Sequence, residues 1–345
     1  MDGFHDGTAR TPLHVDNRVY AGIDVRGHWF TAGMGTILTR GHLESTGWSS
    51  GAISRAVAAG ELERLASGMY TVPDDSAPWV KYLLRVRAAT VNRIHVVSHE
   101  SAAALHDIPF LHPARTHVHF TTGRDHGGGV RGGRAGKVHL HPRPLQPEEI
   151  TTVDGIPVTS RARTAVDVAM SGDLLRGVCA FDAVRLVRRY PRPDDPPPVS
   201  ADELHVCLDR LGTRRGVATA RRALELSVER SESPGESWSR IDMLNWNLPQ
   251  PRLQAEYAIG GRTYFADFAW GTLIGEFDGE GKYGETAEEQ AAALAEEKAR
   301  AAEFTDSGGE VIRWQWRHLI VPGRLHALLL PAMARHGLVD AARAR

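Results

Sequence analysis

Two consecutive apolar runs punctuated by glycine constrain this chain more than any other feature. The run Thr263-Tyr-Phe-Ala-Asp-Phe-Ala-Trp270, bounded by Gly260-Gly261 and Gly271, predicts an aromatic-rich strand. Thr272-Leu-Ile-Gly-Glu-Phe-Asp278 predicts a second strand that ends at Gly279. Side chains two apart on a strand share a face about 6.6 Å apart, so Glu276 and Asp278 point the same way and a short hairpin brings Asp267 beside them. Three carboxylates converging at adjacent strand ends repel one another unless a cation sits between them. Hard oxygen donors of that kind suit Mg2+ or Mn2+, and the layout fits metal-assisted phosphodiester hydrolysis.

The surrounding residues carry a resemblance over roughly 230 to 322. Ser233-Pro-Gly-Glu-Ser237 opens a helix and Pro251-Arg-Leu-Gln254 precedes a strand. Ala266-Asp-Phe-Ala-Trp270, Gly275-Glu-Phe-Asp-Gly279, Glu297-Lys-Ala-Arg300 and Gly309-Glu-Val-Ile-Arg-Trp314 follow in order. Together they resemble the restriction-endonuclease-like (PD-(D/E)XK) superfamily, especially the very-short-patch-repair endonucleases, whose core is α-β-β-β-α-β. The resemblance implies that Asp267 and Glu276 ligate Mg2+ or Mn2+, joined by the backbone carbonyl of Phe277 and by Glu236, directly or through water. It also implies a positioning role for Gln254. Asp278 occupies the place where the superfamily carries its lysine; it would bind metal or act as a base, and Lys282 or Lys298 would supply the ammonium.

A chain of 345 residues, 42% of them hydrophobic, can bury more than one core. Its two cysteines, Cys179 and Cys207, lie far apart with no CxxC partner, so no zinc site or disulfide framework is implied and a reducing cytoplasm fits. The start of the chain lacks a basic flank and an apolar stretch, unlike a signal peptide. Residues 1–33 read as a disordered leader. Net charge is −1, which neither favours nor disfavours nucleic acid, so local charge carries the argument.

Residues 34–76 predict a compact unit. Thr39 caps a helix ending near Gly47; Ser49 or Ser50 caps a second through Ala59; and Gly60 stops it. Ile53 and Val57 lie four apart on the buried face, leaving Ser54 and Arg55 outward. Glu61–Leu65 and Gly68–Val72 read as the strands of a wing. Leu38-Thr-Arg-Gly-His42 through Gly68-Met-Tyr-Thr-Val-Pro73 resembles the winged helix-turn-helix of AbiEi-type antitoxins, transcriptional regulators of abortive-infection systems. That resemblance implies DNA binding, with the second helix in the major groove, Ser54 and Arg55 near base edges and Arg40 close by. The alternative is a winged helix used for protein contacts.

Residues 77–192 read as a middle α/β domain, suggestively similar to the region that follows the winged helix in AbiEi-type proteins. His117 and His119, and His139 and His141, alternate on strands and place pairs on one face. Zinc needs a third or fourth ligand, and nothing in the spacing supplies one, so packed or exposed histidines are expected. Arg124 to Arg143, with five basic residues, one acid and many glycines, reads as an irregular basic loop, either tracking phosphates or simply solvated. The proline run Asp194-Asp-Pro-Pro-Pro198 predicts an extended linker opening a segment, 193–232, of basic helices. Residues 210–222 hold five arginines and no acid, which marks Arg214 and Arg215 for phosphate contact unless Arg221 and Arg222 merely pair with Glu225 and Glu229. Residues 323–345 read as a C-terminal helix and tail.

The expected architecture is therefore α/β multidomain: winged helix-turn-helix, middle α/β domain, and a restriction-endonuclease-like αβββαβ domain over 233–322. The expected function is DNA binding coupled to a metal-dependent endonuclease in phage defence or DNA processing. The expected partners are DNA, a cognate toxin or defence-system protein, and a second copy of the chain in a homodimer; no membrane is implied. The competing reading is a non-catalytic AbiEi-type regulator with a degenerate nuclease fold.

Overall fold

The computed structural model describes residues 36–91, 95–125, 128–131, 137–259, 262–279, 302–306 and 308–340. The leader expected over 1–33, and Lys282 and Lys298, lie outside them. Among the described residues the chain is a mixed α/β assembly with three sheets. No helix among the described residues is long and apolar enough to cross a membrane.

The first unit comprises β1 (Leu38–Thr39), α1 (Arg40–Ser45), α2 (Ser50–Ala59), β2 (Glu63–Ala66) and β3 (Met69–Thr71), with sheet order β1-β3-β2. Thr39 accepts from the His42 amide at 3.0 Å and Ser49 from the Ala52 amide at 3.2 Å, so both helices start at side-chain caps. Gly60 ends α2 at φ 75°, a left-handed cap that glycine adopts without a Cβ penalty. Leu38, Leu43, Ile53, Ala56, Leu62 and Tyr70 form its core. Helix α3 (Pro78–Thr90) then serves two units. Leu84 and Ala88 pack on Leu65 and Met69 of the wing, whereas Tyr82, Val86 and Ala89 enter the core of the next sheet.

That middle sheet contains β4 (Val96–Val97), β5 (His117–Thr121), β6 (Gly129–Arg131), β7 (Lys137–His141), β8 (Ile150–Val153) and β9 (Ile156–Thr159), in the order β6-β7-β5-β4-β9-β8. Strands β5 and β7 run parallel, as do β4 and β9; the other pairs are antiparallel. The segment expected to be an irregular basic loop thus contributes two paired strands, because Val138 and Leu140 supply an apolar face that packs beside Val118 and Phe120. Helix α4 (His99–Leu105) covers the sheet, followed in sequence by α5 (Arg161–Ser171) and α6 (Leu174–Arg185).

The proline-linked segment is not a separate arm. Helices α7 (Ala201–Leu211) and α8 (Val217–Leu226) pack against α5 and α6 in one core that includes Val166, Phe181, Leu204, Leu208, Ala220 and Leu224. Val199, just after the prolines, is buried and bonds back to the Val184 carbonyl at 2.8 Å. The reason is the strong amphipathic period of α7 and α8, whose apolar stripes need a partner surface. Helix α8 stops at Leu226, where Arg185 grips the Ser227 carbonyl and hydroxyl and Asp182 takes the Val228 amide.

The last unit is α9 (Pro234–Asn245), β10 (Arg252–Ile259), β11 (Arg262–Trp270), β12 (Leu273–Asp278), β13 (Glu310–Gln315), α10 (Trp316–Ile320) and α11 (Arg324–Arg335). Strands β10, β11 and β12 form an antiparallel meander, and β13 adds parallel to β12. Phe268, Trp270, Leu273, Phe277 and Trp314 face a core closed by Met243 of α9 and by Leu325, Leu329 and Met333 of α11. The helix expected as a tail beyond residue 322 is therefore part of this core. Buried Asp182 of α6 takes Ser237 at 2.8 Å and Arg240 at 3.0 Å, both on α9, and so ties this unit to the helical core before it. Burial pushes the Asp182 carboxyl up while Arg240 pulls it down.

Candidate functional site

Three elements of the last unit deliver polar side chains to one point. Ser233 caps α9, accepting from the Glu236 amide at 3.2 Å, and Gly235 lets the first turn sit on the Phe277 ring. A Cβ at Gly235 would stand 2.0 Å from that ring, so only glycine permits this approach. The result is a buried Glu236 beside the sheet. Its Oε1 accepts from the Ser233 hydroxyl at 2.8 Å, and its Oε2 from the Glu232 amide at 2.9 Å and from Gln254 Nε2 at 3.5 Å.

Gln254 belongs to β10, where the β10–β11 pairing runs from Leu253–Phe268 to Ala255–Ala266 and skips it. Its φ of 49° is left-handed, a conformation that costs a non-glycine residue on the order of 1–3 kcal/mol and clusters at functional sites. The reward is placement: Nε2 also donates to Asp267 Oδ1 at 3.1 Å, and Oε1 accepts from Arg189 at 3.2 Å. Asp267 Oδ2 in turn accepts from the Phe277 amide at 3.0 Å, which fixes the carboxylate against β12. Burial, then the charge of Asp267, pushes the Glu236 carboxyl up to about 8.

The structure thus brings Glu236, Gln254 and Asp267 together. Glu276 stands next in line on β12 but turns toward its β13 neighbour Arg313, which donates to it at 3.1 Å. Asp278 is half-buried on the same strand, in register with Gln315. As placed, the carboxylates do not close into a metal-sized group: among the described residues one such group of three exists, and it is histidine. Glu236, Gln254 and Asp267 thus form one hydrogen-bonded centre, with Glu276 ion-paired to Arg313 beside it. The physical reason is charge: a guanidinium and an amide meet the crowded carboxylates that sequence reasoning assigned to a cation.

A cleft of about 810 Å³ opens beside Gln254, lined by Arg189, Tyr190, Arg230, Arg252, Glu256 and Phe265 among others. The Arg189 guanidinium lies 3.3 Å over the Phe265 ring. Sequence reasoning missed these arginines because they come from the loop after α6, from the approach to α9 and from β10, with no run to mark them. It favoured residues 210–222 instead. There Arg210 pairs with Glu148, Arg214 with Asp125 at 2.9 Å, Arg221 with Asp209 and Arg222 with Glu225, while Arg215 is exposed. The local pairing alternative describes most of that segment, with Asp209 rather than Glu229 as the partner of Arg221.

On the winged helix, Ser54 and Arg55 are exposed on α2, opposite buried Ile53 and Ala56. The Ser54 hydroxyl bonds back to the Ser50 carbonyl at 3.0 Å. Arg40 reaches Ser50 and Tyr70 at 3.4 and 3.5 Å and lies 4.0 Å from Glu44. Helix α2 thus presents Ser54 and Arg55 to solvent beside the two strands of the wing.

The histidines of the middle sheet form a second cluster. Parallel register pairs His119 with His139 and Thr121 with His141. His119 Nδ1 lies 2.9 Å from His141 Nε2; His139 stacks on His141 at 4.0 Å between ring centroids, and His99 stacks on His141 at 3.5 Å. Burial lowers the basicity of all four, to about 4 for His119 and about 2 for His141, aided by neighbouring histidines. Strand pairing brings together a third imidazole that sequence spacing alone did not.

Comparison with known proteins bears on the first unit. Residues 35–73 match the family described as "Transcriptional regulator, AbiEi antitoxin". Two curated relatives from Mycobacterium tuberculosis, uncharacterized protein MT2308 of strain CDC 1551 / Oshkosh and uncharacterized protein Rv2248 of strain ATCC 25618 / H37Rv, are each 33% identical over 119 residues. The match covers 34% of this chain, and the chain spans only 41% of the length of those relatives. The crystal structure of RV2827C protein from Mycobacterium tuberculosis is similar at a TM-score of 0.37 and 15% identity, over 58% of this chain and 74% of that chain. It is over residues 35–73, the winged helix, that this chain is similar to the AbiEi antitoxin regulators.

Proposed function

We propose that this protein is a DNA-binding transcriptional regulator of the AbiEi antitoxin type, acting through its winged helix. The observation that carries the reading is the coincidence of the family match over 35–73 with an exposed α2 face bearing Ser54 and Arg55. Arg55 would read a base edge and Arg40 would hold a phosphate. A cognate toxin or another defence-system protein is the expected protein partner, a homodimer the expected assembly and the cytoplasm the expected location. Gel-shift titration of the full chain against duplexes from its own upstream region tests this: a preferred duplex supports it, and equal affinity for every sequence counts against it.

A second reading is favoured by the Glu236–Gln254–Asp267 centre and the arginine-lined cleft beside it. Here the last unit is restriction-endonuclease-like and hydrolyses phosphodiester bonds. Its carboxylate oxygens are the donor type that Mg2+ or Mn2+ takes, and a cation would offset the burial and the Asp267 charge that push the Glu236 carboxyl up. Asp267, Glu276, Glu236 and the Phe277 carbonyl would hold the ion, which when bound supplies an acidified water and neutralises phosphate charge. Arg189, Arg230 and Arg252 would seat the backbone phosphates. Gln254 would keep Asp267 aimed, and Asp278 would take a proton from the attacking water. Lys282 would steady the developing charge. Glu276 must leave Arg313 to take part, and the pairing of those two supports the non-catalytic alternative. Plasmid incubated with the protein in Mg2+, Mn2+ or chelator decides. Metal-dependent nicking that Glu276→Ala abolishes supports hydrolysis; intact plasmid throughout leaves a regulator with a degenerate nuclease fold.

A further inference from the structure

We propose that His119, His139 and His141 form a binding site for one Zn2+ ion on the middle sheet, independent of the carboxylate centre. The argument begins with strand geometry. Alternate residues share a face and neighbouring strands lie about 4.8 Å apart. The pairs His117/His119 and His139/His141 therefore project from one face of β5 and β7, while Val118, Phe120, Val138 and Leu140 fill the core on the other. The ligating nitrogens of His119, His139 and His141 all lie within 4.8 Å of one another. Zinc–nitrogen bonds of about 2.0–2.1 Å in a tetrahedron put ligand nitrogens roughly 3.4 Å apart, so small side-chain rotations bring the three to bonding distance. The shared contact at 2.9 Å between His119 Nδ1 and His141 Nε2 already spans less than that.

The surroundings suit a cation. All three rings are only partly covered, which leaves solvent a way in. His99 is buried against His141 and takes a left-handed backbone, φ 53°, at the start of α4. Its Nδ1 contacts Ser98 Oγ at 2.9 Å and lies 3.7 Å from Asp167 Oδ2. That oxygen is buried and makes no hydrogen bond among the described residues, although Oδ1 of the same carboxylate takes Arg163. Strain and an unsatisfied carboxylate oxygen behind a ring of imidazoles are costs that a folded protein carries at functional positions. Nitrogen donors select zinc over magnesium, so this site and the carboxylate centre call for different ions. Three histidine ligands leave the fourth position of the tetrahedron for water or another donor.

The test uses the full-length, tag-free chain, stripped with chelator and titrated with Zn2+ by calorimetry, with bound metal counted by mass spectrometry after gel filtration. About one Zn2+ per chain is expected. It should persist in excess Mg2+ and in Asp267→Asn, and fall to near zero in His139→Gln, whose ring is the least covered and least needed for folding. Co2+ in place of Zn2+ should give the visible bands of tetrahedral coordination in wild type and lose them in His141→Gln. Absence of Zn2+ binding by wild type overturns the site, whatever the variants do. Undiminished binding by both folded histidine variants overturns it equally.

Discussion

Glu236 gives the sharpest handle on the carboxylate centre. Its folded-state value of about 8 lies above the ordinary 4.5, so the folded chain holds this proton more tightly than the unfolded chain. The associated stability is fully present below pH 4.5 and is lost as pH rises through about 8. At about 1.4 kcal/mol per unit, the lost contribution is on the order of 5 kcal/mol. Glu236→Gln mimics the protonated acid: its amide nitrogen can face the Ser233 hydroxyl, which turns to accept, while its oxygen keeps the Glu232 amide. Metal-free wild type and variant should therefore unfold at similar urea concentrations at pH 4, below the ordinary carboxyl value, with the variant stronger by several kcal/mol at pH 9. Tryptophan fluorescence is a suitable probe, because Trp238, Trp246, Trp270, Trp314 and Trp316 all belong to this core. Asp267→Asn should make the loss smaller and complete at lower pH, because without the neighbouring charge Glu236 ionises more readily in the folded chain. A gap between wild type and Glu236→Gln that is the same at both pH values would refute the reasoning.

Other outcomes follow from the packing. Gly235→Ala forces a methyl into the Phe277 ring and should cost about 1–3 kcal/mol, read as a lower urea midpoint, while Gly279→Ala nearby, with 3.8 Å of room, should change little. Arg240→Met strands buried Asp182 and should destabilise by about 3–5 kcal/mol in the same assay; the double variant with Asp182→Leu should recover part of the loss. Arg313→Gln removes the guanidinium that Glu276 accepts from at 3.1 Å and should raise any Mn2+-induced thermal stabilisation; an unchanged shift would count against Glu276 in the metal reading.

The parts of this fold that were legible in the chain are those written locally. Thr39, Ser49 and Gly60 punctuate the winged helix, and Gly271 and Gly279 bracket β12, because caps and turns depend on residues within a few positions. What was not legible depends on pairing across distance. The proline run looked like a linker because extended backbone says nothing about whether the helices after it dock back. Arg313 and Gln254 reach the carboxylates from other strands, so the sequence displayed crowding without its counter-charges. The histidines show the same limit in reverse: each strand offers a pair, and only the parallel register of β5 with β7 makes a triangle. Helix α11 looked like a tail since its apolar stripe carries no sign of the face it covers.

The claim at the centre of this account is that the winged helix reads DNA. Fluorescence anisotropy of the full chain with a preferred and a scrambled duplex, from about 50 to 200 mM salt, measures it most directly. Affinity should fall steeply with salt on both duplexes, and Arg55→Ala should weaken the preferred one by the roughly 1–3 kcal/mol of a base contact while hardly altering the scrambled one. No binding to either duplex at the lowest salt, or identical binding by wild type and Arg55→Ala, would contradict it.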